Sequence, residues 1–489
     1  VDYAELAISA RATRVSLLRL GVEPGDLVGV LAPPSIAGVV LIHAMLDLGV
    51  VFLPLNARLT EGEQRDALAS ADARFLLVED GTTDTERLVR NLGTGLLTFA
   101  QREGKLSDGL VLSIRVRASE ELERRATNRR GARLATGAAL VLQTSGTSGR
   151  PKCAVLTFDN LMASADASAE LLGSGANDRW LLCMPLFHIG GLSILIRCGL
   201  VGATVLLQPR FDPDSVATAM EEEGITHVSF VAAMLERVLN VRADQFAPES
   251  LSLVLLGGGP ASQSLLSRAE SLGYPVAPTY GLTEASSQVA TRPPGVAQLE
   301  TAHRAGGLIA LPGVDVRVVD EEGCPVRGRS GEGFEGEIEV RGPVVMAEYL
   351  DDRAATEGVM RDGWLATGDQ GLIDERGRLR VLDRRSDLIL SGGENVYPAE
   401  IESVLVEFEG VREAGVFGVP DENYGARPVA FIALEEGREI DPAALSEFCR
   451  GRMAGFKRPV DFVEIGALPR TATGKLRRRE LRAIYAQRR

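Results

Sequence analysis

Short apolar runs that break abruptly into glycine restrict this chain more than any other feature. Residues 140–143 and 251–256 are such runs, emptying into Thr144–Lys152 and Gly257–Pro260, and 27–32 is a further apolar run that ends at Pro33. Runs of that length bounded by turn residues read as buried strands. Helical spacing fills 3–20, 35–48, 160–172 and the stretch after Gly190, and further strands are predicted at 50–55, 74–78, 180–184 and 203–207. Such alternation closes into mainly parallel sheets with helices on both faces, an α/β fold. From 80 to about 137 the text turns arginine-rich and loses its period, as in variable loops and edge structure. Beyond Gly313 it changes to short alternating strands at 314–319, 336–341 and 379–382, the texture of a small barrel or antiparallel sheet. A last compact unit begins near 387, with helices at 398–407 and 442–453, strands at 414–419 and 430–434, and a basic tail.

With 489 residues the chain exceeds one core, and roughly 150 residues per domain suggests two to four units. A net charge of −14 argues against nucleic acid or an anionic membrane as partner. The most apolar region, 181–207, is interrupted by Pro185, His188 and Arg197, which argues against a membrane anchor. The five cysteines have no C-x-x-C spacing and read as incidental thiols of a reducing compartment, the cytoplasm. The Val1 start reads as a chain whose native beginning lies upstream. Oligomeric state is open, with a homo-oligomer among the options.

The loop after 140–143 carries Thr144, Ser145, Gly146, Thr147, Ser148 and Lys152. Glycines turn backbone N–H groups inward, hydroxyls add donors and the lysine adds charge, which together make a cradle for a polyphosphate. A flexible linker is the bland alternative. The P-loop template fails, because Arg150 and Pro151 separate Gly149 from the lysine. A second constellation spans 279–288. There Tyr280 can stack on a purine, Gly281 turns the chain, Thr283 can donate to phosphate and Glu284 can hold Mg²⁺. Its alternative is a helix start capped by Thr283. Gly257, Gly258, Gly259 and Pro260 either let a flat ligand approach or make a tight turn. Asp369 suits two ribose hydroxyls or an exposed loop. His188 sits at a pocket-like turn, or is structural.

Taken in order, these motifs resemble the adenylate-forming superfamily of acyl-CoA synthetases, luciferases and peptide-synthetase adenylation domains, over nearly the whole chain. Within it the text of 184–193, 255–261, 280–288 and 381–387 is most similar to the o-succinylbenzoate–CoA ligase family of menaquinone biosynthesis. Cys153, where glycine is usual, and His303-Arg304 depart from the common pattern.

The resemblance implies a large N-terminal domain, 1–385, of two helix-flanked sheets plus a small β-barrel. A small, mobile α+β domain, 386–489, follows, hinged near Ser386. It also implies ATP, Mg²⁺ and coenzyme A as cofactors and a small carboxylic acid as substrate. By the same resemblance Thr144–Lys152 takes the β,γ-phosphates, with Thr144 also near the metal. Glu284 holds Mg²⁺, Gly257–Pro260 flanks adenine, and Asp369 and Arg384 take the ribose and phosphate. Lys475 is the catalytic lysine, Ser391, Gly392 and Gly393 line the pantetheine path, and His188 gates the acyl pocket. Arg197, Arg292 and the Ser286-Ser287 pair are the candidates for a second substrate carboxylate. Two readings stand beside this one: a CoA ligase for another aromatic or medium-chain acid, and a carrier-protein-loading adenylation enzyme.

Overall fold

The computed structural model describes residues 1–79, 95–101, 112–117, 134–145, 151–243, 245–259, 261, 263–294, 307–320, 322–326, 336–383, 389–435, 437–439, 441–469, 476 and 478–488. They divide into two compact units. One holds Val1–Ala57, Arg65–Leu142 and Cys153–Leu382, and the other Arg58–Gln64, Gln143–Lys152 and Asp383–Arg489.

In the first unit an eight-stranded sheet is centred on four parallel strands, in the order Ala138–Ser145, Val51–Pro54, Leu27–Leu31, Phe75–Glu79. The edge strands Gly95–Gln101 and Leu112–Arg117 lie in the stretch where the sequence predicts variable edge structure. Both faces of the central strands are buried, and period two sorts their side chains. Val28, Val30, Phe52, Phe75 and Leu77 enter one core, whereas Leu27, Leu31, Leu53, Leu76 and Val78 enter another. The second core is closed by Ala67 and Leu68 of the helix Glu61–Ser70, which the sequence pattern does not reveal.

A seven-stranded sheet repeats the scheme, with the parallel order Val276–Leu282, Leu253–Leu256, His227–Phe230, Arg179–Leu182, Thr204–Leu207. Its inward residues Trp180, Leu182, Leu253 and Leu255 share a core with the first sheet and with the helices Ile36–Leu48 and Ile189–Val201. Its outward residues Leu181, Val228, Phe230, Val254 and Leu256 pack under Pro213–Glu222, Ala232–Arg242 and Gln263–Ser271. A third, five-stranded sheet of Asp315–Val319, Gly336–Arg341, Trp364–Ile373, Met360–Arg361 and Leu379–Asp383 completes this unit.

The second unit is a sheet ordered Glu394–Val396, Ile389–Ser391, Gly425–Leu434, Val411–Asp421, with Phe462–Glu464 parallel to Gly425–Leu434. Val416, Ala430 and Ile432 face the helices Pro398–Leu405 and Pro442–Arg452. Phe417, Val429 and Phe431 face Leu481 and Tyr485 of Arg478–Ala486. Among the described residues no helix is long and apolar enough to cross a membrane.

Candidate active site

The strand Val276–Leu282 passes through a single 3₁₀ turn, Thr283–Ala285, and returns as Ser287–Thr291. This hairpin replaces the alternative of a helix capped by Thr283. Its register slips at Tyr280/Gly281, and a side chain at 281 would collide with the Ser287 carbonyl. Ser286 and Ser287 hold φ values of +55° and +104°, a region that non-glycine residues rarely occupy. Two hydrogen bonds hold Ser286 there. Ser286 Oγ donates to the Val344 carbonyl at 2.7 Å, and Ser164 Oγ donates to the Ser286 carbonyl at 2.7 Å.

That constrained turn presents Glu284. Its Oε1 accepts from the Tyr349 hydroxyl at 2.8 Å, and its carbonyl accepts from the Met346 N–H at 2.8 Å. Four residues earlier, the buried Tyr280 donates its hydroxyl to Asp369 Oδ2 at 2.6 Å. Asp369 is 6% exposed on the strand Trp364–Ile373, so the exposed-loop alternative is excluded. The structure thus ties Tyr280 to Asp369 and leaves Glu284, with Thr283, half-buried on the same turn.

The glycines at 257 and 258 have packing reasons of their own. A Cβ on Gly257 would stand 2.9 Å from Thr279 Cγ2, and Gly258, at φ +82°, would meet Val231 Cγ1 at 2.8 Å. The tight-turn alternative therefore accounts for both, and Gly259 continues the same bend.

His188 is the N-cap of Ile189–Val201, makes no side-chain cap bond, and lies 4.8 Å from the Phe187 ring. Nine residues on, the same helix buries Arg197 at 1% exposure. Its Nη2 donates at 2.8 Å to Gln288 Oε1, which also accepts from Ser168 Oγ at 2.5 Å. Nε and Nη1 have no hydrogen-bond partner among the described residues. Burial pulls the guanidinium pKa down to about 10, which still leaves it charged at neutral pH. Of the other candidates for a second carboxylate, Arg292 and Ser286 are engaged elsewhere. Arg292 faces Glu270 at 3.5 Å, and Ser286 is committed to Val344.

The strands Ala138–Ser145 and Pro151–Thr157 flank the glycine-rich loop; in the second unit, Thr144 Oγ1 donates to the Lys152 carbonyl at 3.4 Å. Ser391 is fully buried and leads into a turn at Gly392 (φ +59°) and Gly393 (φ +83°). Arg58 fixes that turn by donating to the Gly392 carbonyl at 2.9 Å and pairing with Glu394 at 3.0 Å. Gly146, Thr147, Ser148, Pro260, Arg384, Ser386 and Lys475 lie outside the described residues, as does the side chain of Ser145. Two side chains that contact candidate residues are not legible in the sequence. Tyr349 lies 65 residues from the carboxylate it holds, and Trp180 reads as one more core aromatic in an apolar strand.

Within the first unit, a strained hairpin with an oriented carboxylate and a buried tyrosine–aspartate pair suit an enzyme that handles nucleotides. The chain belongs to the AMP-binding enzyme family: the model of that family matches residues 1–350, and that of its C-terminal domain residues 400–475. Among curated relatives, the 2-succinylbenzoate–CoA ligase of Listeria monocytogenes serotype 4b is 37% identical over 99% of this chain and 94% of its own length. The o-succinylbenzoate CoA synthetase of Bacillus subtilis, bound with its product analogue, shares 34% identity at a TM-score of 0.84, covering 99% of this chain and 94% of that one. The same synthetase in complex with ATP and magnesium ion shares 33% identity at a TM-score of 0.66, covering 98% and 94%.

The residues present fit a magnesium ion. Mg²⁺ takes hard oxygen ligands and usually needs only one or two carboxylates beside substrate phosphates. Glu284 offers such a carboxylate, with Oε1 oriented by Tyr349 and Oε2 free of other bonds among the described residues.

Proposed function

We propose that this chain is an ATP-dependent, AMP-forming 2-succinylbenzoate–CoA ligase of menaquinone synthesis. The observation that carries the substrate is Arg197. Leaving a charge buried without a counter-charge costs about 3–5 kcal/mol, so the fold keeps this cation at a loss unless an anion arrives. 2-Succinylbenzoate has two carboxylates. One reacts, and the other supplies the counter-charge for Arg197.

In the first half-reaction the reacting carboxylate attacks the α-phosphorus of ATP, and pyrophosphate leaves. Negative charge builds on the non-bridging oxygens, and fixed cations aimed there lower the barrier. Lys475 has that role, and Thr144–Lys152 takes the β,γ-phosphates. Tyr280 and Asp369 hold the adenosine end, with Asp369 on the ribose. Glu284, with Thr144, would hold Mg²⁺, which neutralises phosphate charge when bound. In the second half-reaction the CoA thiol attacks the acyl carbon, AMP departs, and the thiol proton is released. Ser391–Gly393 line the path of the pantetheine arm, and His188 gates the acyl pocket. No side-chain nucleophile is required, since positioning two reactants supplies much of the rate.

The test is a substrate panel read by pyrophosphate release, comparing 2-succinylbenzoate with two analogues that each lack one of its carboxylates. The diacid is expected to exceed the mono-acid that is still adenylated in kcat/KM by about 100-fold, and Arg197→Ala to erase that margin mainly through KM, while the analogue lacking the reacting carboxylate releases no pyrophosphate. Equal use of the diacid and of either mono-acid would overturn the assignment of substrate.

A further inference from the structure

Trp180 and His227 occupy matched positions on the neighbouring parallel strands Arg179–Leu182 and His227–Phe230. Matched register turns both rings to the same face of the sheet, while the following pair, Leu181 and Val228, enters the opposite core. The two ring centroids are 4.9 Å apart, with planes tilted by 42°. The Arg197 guanidinium, delivered by Ile189–Val201, lies over the same indole at 4.6 Å from its centroid. Trp180 is 1% exposed, and its Nε1 donates to nothing among the described residues. A buried indole normally finds a partner for that N–H. Here the ring is kept for its face. His227 is itself held at the starting end of these strands, with Nδ1 2.7 Å from Thr226 Oγ1 and 3.7 Å from Asp178.

We infer that Trp180 is a positioning residue that sets which carboxylic acids the chain accepts, by holding the Arg197 guanidinium flat so that Nε and Nη1 stay presented to the substrate's second carboxylate. The inference rests on the reading of Arg197 given above. Gln288 and Trp180 constrain different parts of the group. The amide oxygen fixes one nitrogen, and the indole lies against the guanidinium carbon, with its ring centroid 4.6 Å away. Arginine has many rotamers to lose, and a planar cation gains orientation from an aromatic face in a way that a compact ammonium does not. Arg197 is thereby ordered before substrate arrives, which spares the substrate that ordering cost.

The experiment measures pyrophosphate release by the full chain with three acids: 2-succinylbenzoate and the two analogues each lacking one carboxylate. The variants are Trp180→Leu, Trp180→Phe, Arg197→Ala and the double variant Trp180→Leu/Arg197→Ala. Trp180→Leu is expected to raise KM for the diacid by about 10- to 30-fold. Its kcat, its KM for ATP and its KM for the mono-acid that is still adenylated should stay within about twofold. Trp180→Phe, which keeps an aromatic face, should recover most of the loss. In the Arg197→Ala background, Trp180→Leu should add nothing, because the group it positions is gone. If Arg197→Ala removes the preference for the diacid while Trp180→Leu leaves it intact, Trp180 has no positioning role, and the reading of Arg197 survives. If Trp180→Leu raises all KM values alike, or Trp180→Phe recovers nothing, the ring is core packing and the inference fails. If Arg197→Ala leaves the preference unchanged, the underlying reading fails first.

Discussion

Tyr280 and Glu284 each meet a partner inside the first unit, Tyr280 through Asp369 and Glu284 through Tyr349. Arg197, buried in that same unit, has one neutral amide as hydrogen-bond partner, an indole beneath it and no carboxylate partner among the described residues. On the reading proposed above, with the nucleotide at Tyr280, Asp369 and Glu284 and the acid at Arg197, the two regions solve different problems. The nucleotide is the same in every turnover, so the groups that receive it can be fixed by permanent hydrogen bonds, and each bond lowers the reorganisation needed when ligand binds. The acid must be told apart from other acids. A buried group left unpaired discriminates strongly, because a ligand that lacks the complementary charge leaves the penalty standing. Specificity is thus stored as an unmet demand, and common chemistry as a met one.

The largest effect is expected where neither kind of partner is the issue. On the proposed reading the wired end only positions the nucleotide, and Lys475 is the main cation of the first half-reaction. Lys475→Ala should slow pyrophosphate release by about a thousandfold, while a pre-made acyl-adenylate is still converted to acyl-CoA. Equal loss of both half-reactions, measured separately, would remove the division between positioning and catalysis. Next comes a direct cut between the two regions. Asp369→Asn keeps the shape but weakens the acceptor of the Tyr280 hydroxyl, and should raise KM for ATP by about thirtyfold with KM for the acid unchanged. Arg197→Ala should do the reverse. A pair of variants that each move both KM values would show one coupled site rather than two. Smaller still is Tyr349→Phe, which frees Glu284 Oε1 and should raise the Mg²⁺ concentration for half-maximal rate by about tenfold, with kcat at saturating Mg²⁺ nearly restored.

Much of this architecture is legible in the amino-acid sequence because burial on both faces turns strands into continuous apolar runs, as in Leu27–Leu31 and Leu253–Leu256. Where burial is thin, the signal fades. The helix Glu61–Ser70 is written almost wholly in polar letters, with Ala67 and Leu68 as its anchors in the core, so its period is lost. The strand Pro151–Thr157 opens on proline directly after a glycine-rich loop, and punctuation of that kind reads as loop. Asp369, Glu284 and Arg197 stand out as charges inside apolar or turn-rich sequence. Their partners do not. The bond from Tyr349 to Glu284 spans 65 residues, and the stack of Arg197 on Trp180 depends on a helix crossing a particular strand pair. Charge is a property of one position, whereas partnership is a property of the fold.

The smallest effect separates the interior under Arg197 from the helix layer beside it. His43, on Ile36–Leu48, has its pKa lowered by burial alone. His227 is lowered by burial first, then raised by Asp178 and lowered again by Arg197. A histidine depressed in the folded state is neutral there while the unfolded chain still takes up protons below about pH 6.5. The unfolded state then binds more protons, so stability is complete above that pH and declines as the pH falls through it. Both residues therefore predict a melting temperature that drops between about pH 7 and pH 5. His43→Gln should flatten that slope by about 1–2 °C and leave the kinetics with 2-succinylbenzoate untouched, because His43 depends on packing only. His227→Gln should flatten it less, since Asp178 opposes the shift, and should alter KM for the diacid through the Trp180 stack. Melting curves and KM values of the two variants, taken at both ends of that pH range, decide whether acid sensitivity and substrate choice share a residue or only a fold.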